Sequence, residues 1–211
     1  MDLKKQLHAI LLRSPKNLFD EFIKECQEWY SQPAHSLQEM RVRDNKKVRG
    51  DIFEDFCVLY LKNVKGFKEV WLLEDLPEEI LTGLSLKRKD MGIDIIAKHE
   101  DEWYAVQCKY KTPEAGKKKC VTWKSLSTFY AMCLRTGPWS KYIVMTNCDY
   151  TRRQGPKGPK DISMCLKTFQ NMSQEEWVRM CEIEGKKLEE KPTGVLSEKE
   201  LRDLRLSFYK S

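Results

Sequence analysis

The stretch Gly92-Ile93-Asp94-Ile95-Ile96-Ala97-Lys98-His99-Glu100-Asp101-Glu102-Trp103-Tyr104-Ala105-Val106-Gln107-Cys108-Lys109 decides the fold. Ile93–Ala97 and Trp103–Lys109 are runs of strand formers, and the polar segment between them has the length of a hairpin loop, which predicts two antiparallel strands. Folding the stretch about the middle of Lys98–Glu102 sets Asp94 opposite Gln107 and Ile96 opposite Ala105. Successive strand residues point to opposite faces, so Asp94, Gln107 and Lys109 share one face, with directly opposed Cβ atoms about 5 Å apart. Ile93, Ile95, Ala97, Tyr104, Val106 and Cys108 take the other face and are expected to bury against a helix. A slip of one residue would destroy both sets at once.

Outward from the hairpin, Phe53, Phe56, Cys57, Tyr60 and Leu61 recur at helical spacing and predict a buried helix over 48–63. Val70–Leu73 reads as a first strand between Gly66 and Pro77. Thr122–Leu134 reads as a helix that stops before Gly137-Pro138, and Tyr142–Met145 as a buried strand. The order is αβββαβ, an α/β class in which a small mixed sheet is flanked by helices. Upstream, Ser14 is read as an N-cap with Pro15 at the first helical position, and Leu18, Phe19, Phe22, Ile23, Cys26 and Trp29 form a helical core stripe. Ser36 with Glu39, Ser173 with Glu176, and Ser197 with Glu200 have capping-box spacing. The duplicated Gly-Pro-Lys of 155–160 predicts an exposed loop. Three segments follow: a helical extension over 1–46, a core over 47–150, and a basic loop with C-terminal helices packed on the core over 151–211.

The chain has 211 residues, a formal charge of +6 and a mean hydropathy of −0.62, and its pI is about 8.8. No apolar run approaches the ~18 residues of a membrane span. The N-terminus lacks a secretory h-region, which places the chain in a reducing compartment, the cytoplasm or nucleus. The eight cysteines contain no Cys-x-x-Cys pair, so they are read as reduced packing residues rather than zinc ligands. No Gly-x-x-x-x-Gly-Lys-Ser/Thr loop and no Gly-x-Ser-x-Gly elbow occurs, so a motor ATPase and an acyl hydrolase are both excluded. Positive charge is clustered at Arg41–Arg49, at Lys87, Arg88 and Lys89, at Lys109, Lys111, Lys117, Lys118 and Lys119, and at Arg152, Arg153, Lys157 and Lys160. Four basic groups around one core segment suit a phosphodiester backbone as partner.

An acid, an amide and an ammonium on one sheet face have a definite chemistry. The Asp94 carboxylate, the Gln107 amide oxygen and the main-chain carbonyl of Cys108 are hard oxygen donors suited to Mg²⁺ or Mn²⁺. The neighbouring Lys109 ammonium suits the charge that grows on a phosphate under attack by water. Gly50-x-x-Phe53-Glu54 on a helix, Asp90-Met91-Gly92-Ile93-Asp94 entering a strand and Ala105-Val106-Gln107-Cys108-Lys109-Tyr110 on the next resemble the PD-(D/E)XK nuclease superfamily. The resemblance is closest to its Mrr-like restriction endonuclease branch, which uses Gln-x-Lys, and it covers roughly residues 47–150. Similar domains occur in nuclease-helicase proteins of large DNA viruses and phages.

The resemblance implies a restriction-endonuclease-like core with added terminal helices, and a Mg²⁺-dependent endonuclease acting on DNA. In it Asp94 is the central metal ligand, Gln107 the second and Lys109 the catalytic lysine, while Glu54 is the acidic residue of the first core helix. It also implies that Lys87, Arg88, Lys89, Lys111, Lys117, Lys118, Lys119, Arg152, Arg153 and Lys157 grip the nucleic acid. Cutting both strands of a duplex asks for two active sites, hence a homodimer, and any helicase or ATPase activity belongs to another chain. Gln107 removes one negative charge from the commoner pattern, which keeps a second reading open: a nuclease-fold module that binds nucleic acid without cutting.

Overall fold

A computed structural model describes residues 3–31, 45–89, 92–152 and 158–181. Two N-terminal helices, α1 (Leu3–Arg13) and α2 (Leu18–Ser31), precede the long α3 (Asn45–Asn63). Strand β1 (Glu69–Leu72) runs through a 3₁₀ turn (Leu73–Asp75) into the short α4 (Glu78–Gly83). The hairpin β2 (Ile95–His99) and β3 (Glu102–Lys109) follows, then β4 (Cys120–Thr122), α5 (Trp123–Arg135) and β5 (Lys141–Thr146). Beyond these lie β6 (Tyr150–Arg152), β7 (Asp161–Met164), α6 (Leu166–Gln170) and α7 (Gln174–Cys181). The main sheet has the order β1-β2-β3-β5-β7, antiparallel across β1-β2-β3 and parallel across β3-β5-β7, and β4 pairs in parallel with β6 in a separate ribbon.

The hairpin register is the one its alternation predicts, with Ile95 opposite Val106, Ile96 opposite Ala105 and Ala97 opposite Tyr104. That register sorts side chains into two cores. On one face Ile95, Ala97, Val106, Cys108, Ile143 and Met145 pack beneath α3 and the terminal helices. Phe22 stacks on Phe56 at 4.8 Å between centroids, and Phe19 meets Phe169 at 5.0 Å, so rings from α2, α3 and α6 close this layer together. On the other face Ile96, Ala105 and Val144 pack against Leu126, Phe129 and Cys133 of α5 and the leucines around α4. Ile93 departs from expectation. It precedes β2 and buries in the α5 layer, because the backbone turns at Gly92 before the strand alternation begins.

Ser14 is also corrected: it ends α1 rather than capping α2. Its backbone is left-handed (φ 47°), and both its N–H and its hydroxyl donate to Leu11 O. The cap of α2 is Asn17, whose Oδ1 accepts from Asp20 N–H at 3.0 Å. At the other terminus the capping box forms as read, Ser173 Oγ accepting from Glu176 N–H and Glu176 Oε2 from Ser173 N–H. The pairs Ser36/Glu39 and Ser197/Glu200 lie outside the described residues. No described helix is long and apolar enough to cross a membrane.

No disulfide joins any of the eight cysteines. Burial pushes the thiols of Cys26, Cys133 and Cys181 up to about 12. Since the thiolate is the reactive form, alkylation of these three at pH 8 is expected to run about a thousandfold slower than for an ordinary thiol. Peptide mapping after iodoacetamide should find label first on the less buried Cys120 and Cys165, and on the three buried thiols only after unfolding in urea. Early labelling of Cys26 or Cys133 in the native protein would contradict the packing described.

Candidate active site

Asp94 is fixed by its main chain before its side chain does anything. Gly92 has φ +87°, and a Cβ built there would stand 3.0 Å from Phe129 N and 3.3 Å from Thr128 C, so only glycine lets the chain pass this close to α5. Ile93 then anchors in the α5 core. Asp94 N–H donates to Val106 O at 3.0 Å and its carbonyl accepts from Leu73 N–H at 2.9 Å, which ties it to both β3 and the 3₁₀ turn. Gly92→Ala is expected to cost about 1–3 kcal/mol of stability from backbone strain and the clash with α5. A urea unfolding midpoint equal to the parent's would refute this close approach.

The carboxylate lies where β2 starts and β3 ends, which in an antiparallel pair is the same end of the two strands. Its Oδ2 accepts from Cys108 N–H at 2.6 Å and from the Gln107 amide Nε2–H. Gln107 is 2% exposed, and the same Nε2 lies 3.3 Å from Cys108 O, so the amide sits between the carboxylate and a main-chain carbonyl. Lys109 is half-buried, two residues along β3 from Gln107, and among the described residues its Nζ makes no hydrogen bond or ion pair. Asp94, Gln107 and the Cys108 main chain therefore converge, with Lys109 projecting from the same strand face.

Glu54 stands in the opposite layer, half-buried on α3. Burial raises the Cys57 and Cys108 thiols. Cys57 and Cys108 share a side-chain hydrogen bond, and the charges of Asp94 and Glu54 raise both thiols further. These cysteines are neutral packing residues, so thiolate chemistry has no place at the site.

The donor set fits a hard divalent cation. Two oxygen functions, the Asp94 carboxylate and the Cys108 main-chain carbonyl, face the Gln107 amide, and turning that amide end for end would set its oxygen beside them as a third. Among the described residues no group of three His, Cys, Asp or Glu side chains is placed to hold a metal.

Thr146 and Asn147 are the polar groups that sequence reasoning missed. They follow the apolar run of β5 yet are buried, at 0% and 7% exposure, and nothing in the sequence marks them. Thr146 Oγ1 donates to Lys109 O at 2.6 Å. Asn147 Oδ1 accepts from Lys111 N–H at 2.8 Å, and its Nδ2 donates to Lys111 O at 2.7 Å.

Lys87 and Lys89 are exposed just before the site glycine, while the Arg88 guanidinium donates to Glu74 O, Leu76 O and Glu78 Oε2. Lys111 Nζ donates to Cys120 O, Lys117 pairs with Glu114, and Lys119 bonds Thr112 O and Glu114. Lys118 is exposed, and so is Arg152 on β6, beside the Tyr150 hydroxyl. Arg153, Lys157, Asp90 and Met91 lie outside the described residues. Lys111, Lys119 and Asn147 line a cleft of about 340 Å³ beyond the ends of β3 and β5, whose far wall is Ile23, Lys24 and Gln27 of α2. Trp123 is 36% exposed and stacks on Tyr130 of the same helix, α5.

The sequence profile of the Mrr-type restriction endonuclease family matches residues 62–176, more than half of the chain. The chain belongs to that family. Asp94, Gln107 and Lys109 fall inside the matched segment, whereas Glu54, α1 and α2 precede it. The mixed sheet flanked by helices is the restriction-endonuclease-like core. No curated protein and no solved structure matches the chain.

Proposed function

We propose that this restriction endonuclease family member hydrolyses DNA phosphodiesters with the help of Mg²⁺ or Mn²⁺, and that residues 47–150 carry the chemistry. The observation that supports this most is the convergence of the Asp94 carboxylate, the Gln107 amide and the Cys108 main chain at one end of the β2–β3 pair, with the Lys109 ammonium on the same face of β3. Asp94, the amide oxygen of Gln107 and the Cys108 carbonyl would hold the ion, with Glu54 assisting from α3. When bound, the ion supplies Lewis acidity that eases ionisation of water and screens phosphate charge.

Lys109 Nζ donates hydrogen bonds to a non-bridging phosphate oxygen, offsetting the charge that grows as the water oxygen bonds to phosphorus and the bond to the leaving sugar oxygen breaks. Cys108 N–H and the 3₁₀ turn hold Asp94 still, so little reorganisation is needed as charge develops. Lys87, Lys89, Lys118 and Arg152, joined by Arg153 and Lys157, contact the phosphates on either side, while Lys111, Lys117 and Lys119, already bonded to Cys120 O, Glu114 and Thr112 O, add charge. Arg88, already bonded to the β1–α4 segment, adds charge rather than a direct grip. These contacts position the strand without reading its bases. For a double-strand cut, a second copy of the chain supplies the second site.

Family membership favours cutting over the binding-only reading. Circular DNA incubated with the protein in Mg²⁺ or Mn²⁺ should be nicked and linearised. EDTA should stop the reaction and restored metal should restart it. Cleavage that continues in EDTA, or intact DNA in both metals, would sink the proposal.

A further inference from the structure

We infer that Thr146 and Asn147 are positioning residues for the lysine of this site, an inference that rests on the hydrolytic reading above. The backbone pairing of β3 with β5 ends at the rung Lys109–Thr146. Beyond that rung a strand would ordinarily fray, yet here side chains continue the ladder. Thr146 Oγ1 donates to Lys109 O at 2.6 Å while accepting from Cys148 N–H at 3.1 Å, so the hydroxyl has one arrangement in which both bonds are made. One residue further, the Asn147 amide meets both main-chain groups of Lys111, accepting from its N–H at 2.8 Å and donating to its C=O at 2.7 Å. The amide reproduces the pair of bonds that another strand residue would have made.

Lys109 is thus fixed from three directions. Ahead of it in β3, Cys108 N–H is bonded to Asp94. At its own carbonyl it is held by Thr146, and behind it Lys111 is held by Asn147. A flexible four-carbon side chain needs such a base, since Nζ has no hydrogen bond or ion pair among the described residues to orient it. The buried amide and hydroxyl therefore turn the last residues of β3 from a loop into a rigid mount, and the reach of the ammonium relative to Asp94 is set by them. Because both side chains act on the main chain that carries the lysine, their loss should slow the chemical step and leave DNA affinity as it is.

The test compares Thr146→Val, Thr146→Ser, Asn147→Ala and Lys109→Ala in the full chain. It follows kcat and KM for DNA cleavage, and hydrogen exchange of the peptide spanning Lys109–Lys111. Thr146→Val and Asn147→Ala are expected to lower kcat about tenfold or more, keep KM within about twofold and speed exchange in that peptide. Thr146→Ser, which keeps the hydroxyl, should restore kcat. If Lys109→Ala loses cleavage while Thr146→Val and Asn147→Ala keep the parent's kcat, the positioning role is overturned and the hydrolytic reading survives. Failure of serine to rescue, or a loss that falls on KM, overturns the positioning role in the same way. If Lys109→Ala cuts as well as the parent, or the parent does not cut, both fall together.

Discussion

Asp94→Ala is expected to lower the rate of DNA cleavage by about a thousandfold or more, and Lys109→Ala by about a hundredfold, with DNA binding retained in both. A preorganised group that stabilises charge only in the transition state is typically worth 10²–10³ in rate, and a carboxylate that also anchors the cation is worth more. The structure adds a complication that the experiment must separate. Asp94 Oδ2 accepts the Cys108 N–H, so alanine leaves a main-chain donor without its partner, at a cost of about 1–3 kcal/mol of stability. Asp94→Asn resolves this, because it keeps an acceptor for Cys108 N–H and removes only the charge. The asparagine variant should melt near the parent and still fail to cut. If it cuts at the parent's rate in Mg²⁺, the carboxylate is a structural acceptor and the site has been misplaced.

Gln107→Glu has the opposite character, a gain at the cation and a loss without it. In the structure the Gln107 amide donates to Asp94. Glutamate at the same position, almost wholly buried, brings a second carboxylate against the first, and two such groups resist being ionised together. The metal-free variant should therefore be less stable than the parent at neutral pH by about 1–3 kcal/mol. The sign with pH follows. A shared site raises the proton affinity of the pair above that of an unfolded chain, so the deficit is full at pH values where both would ionise, and it fades as acid protonates one of them. Adding Mn²⁺ or Mg²⁺ should reverse the order of melting temperatures, because the extra charge tightens cation binding by roughly tenfold. Melting curves over a metal titration check both halves. Equal melting temperatures without metal, together with equal metal midpoints, would mean that the amide and the carboxylate do not face each other.

The site is legible in the sequence to the extent that it depends on strand alternation. Period-two patterning on both arms of the hairpin, joined by a loop of fixed length, leaves one register that buries Ile95, Ala97, Val106 and Cys108 together, and it brings Asp94 beside Gln107. Ile93 escapes this logic because alternation does not extend through Gly92, whose left-handed backbone interrupts it. Ser14 resembles a helix start because Pro15 follows it, whereas Asn17, tied by its amide to Gln170 O, does the capping. The short strands β4, β6 and β7 carry too few apolar residues to show a period, and tertiary pairing alone makes them strands. Thr146 and Asn147 are silent in the sequence because their value lies in main-chain groups they meet 36 or 37 residues away.

The layer beneath the sheet has a temporal consequence. Asp20 and Gln170, 150 residues apart, are hydrogen-bonded, and the α2 rings rest on Phe169 while Trp177 packs against Phe56. A chain emerging from the ribosome can begin to cover Phe19 and Phe22 with Phe56 of α3, but the cover is completed only when α6 and α7 have been made. Synthesis therefore has to run past Trp177 before the floor beneath the β2–β3 hairpin is complete, and a product cut short ahead of α6 is expected to be sensitive to proteases.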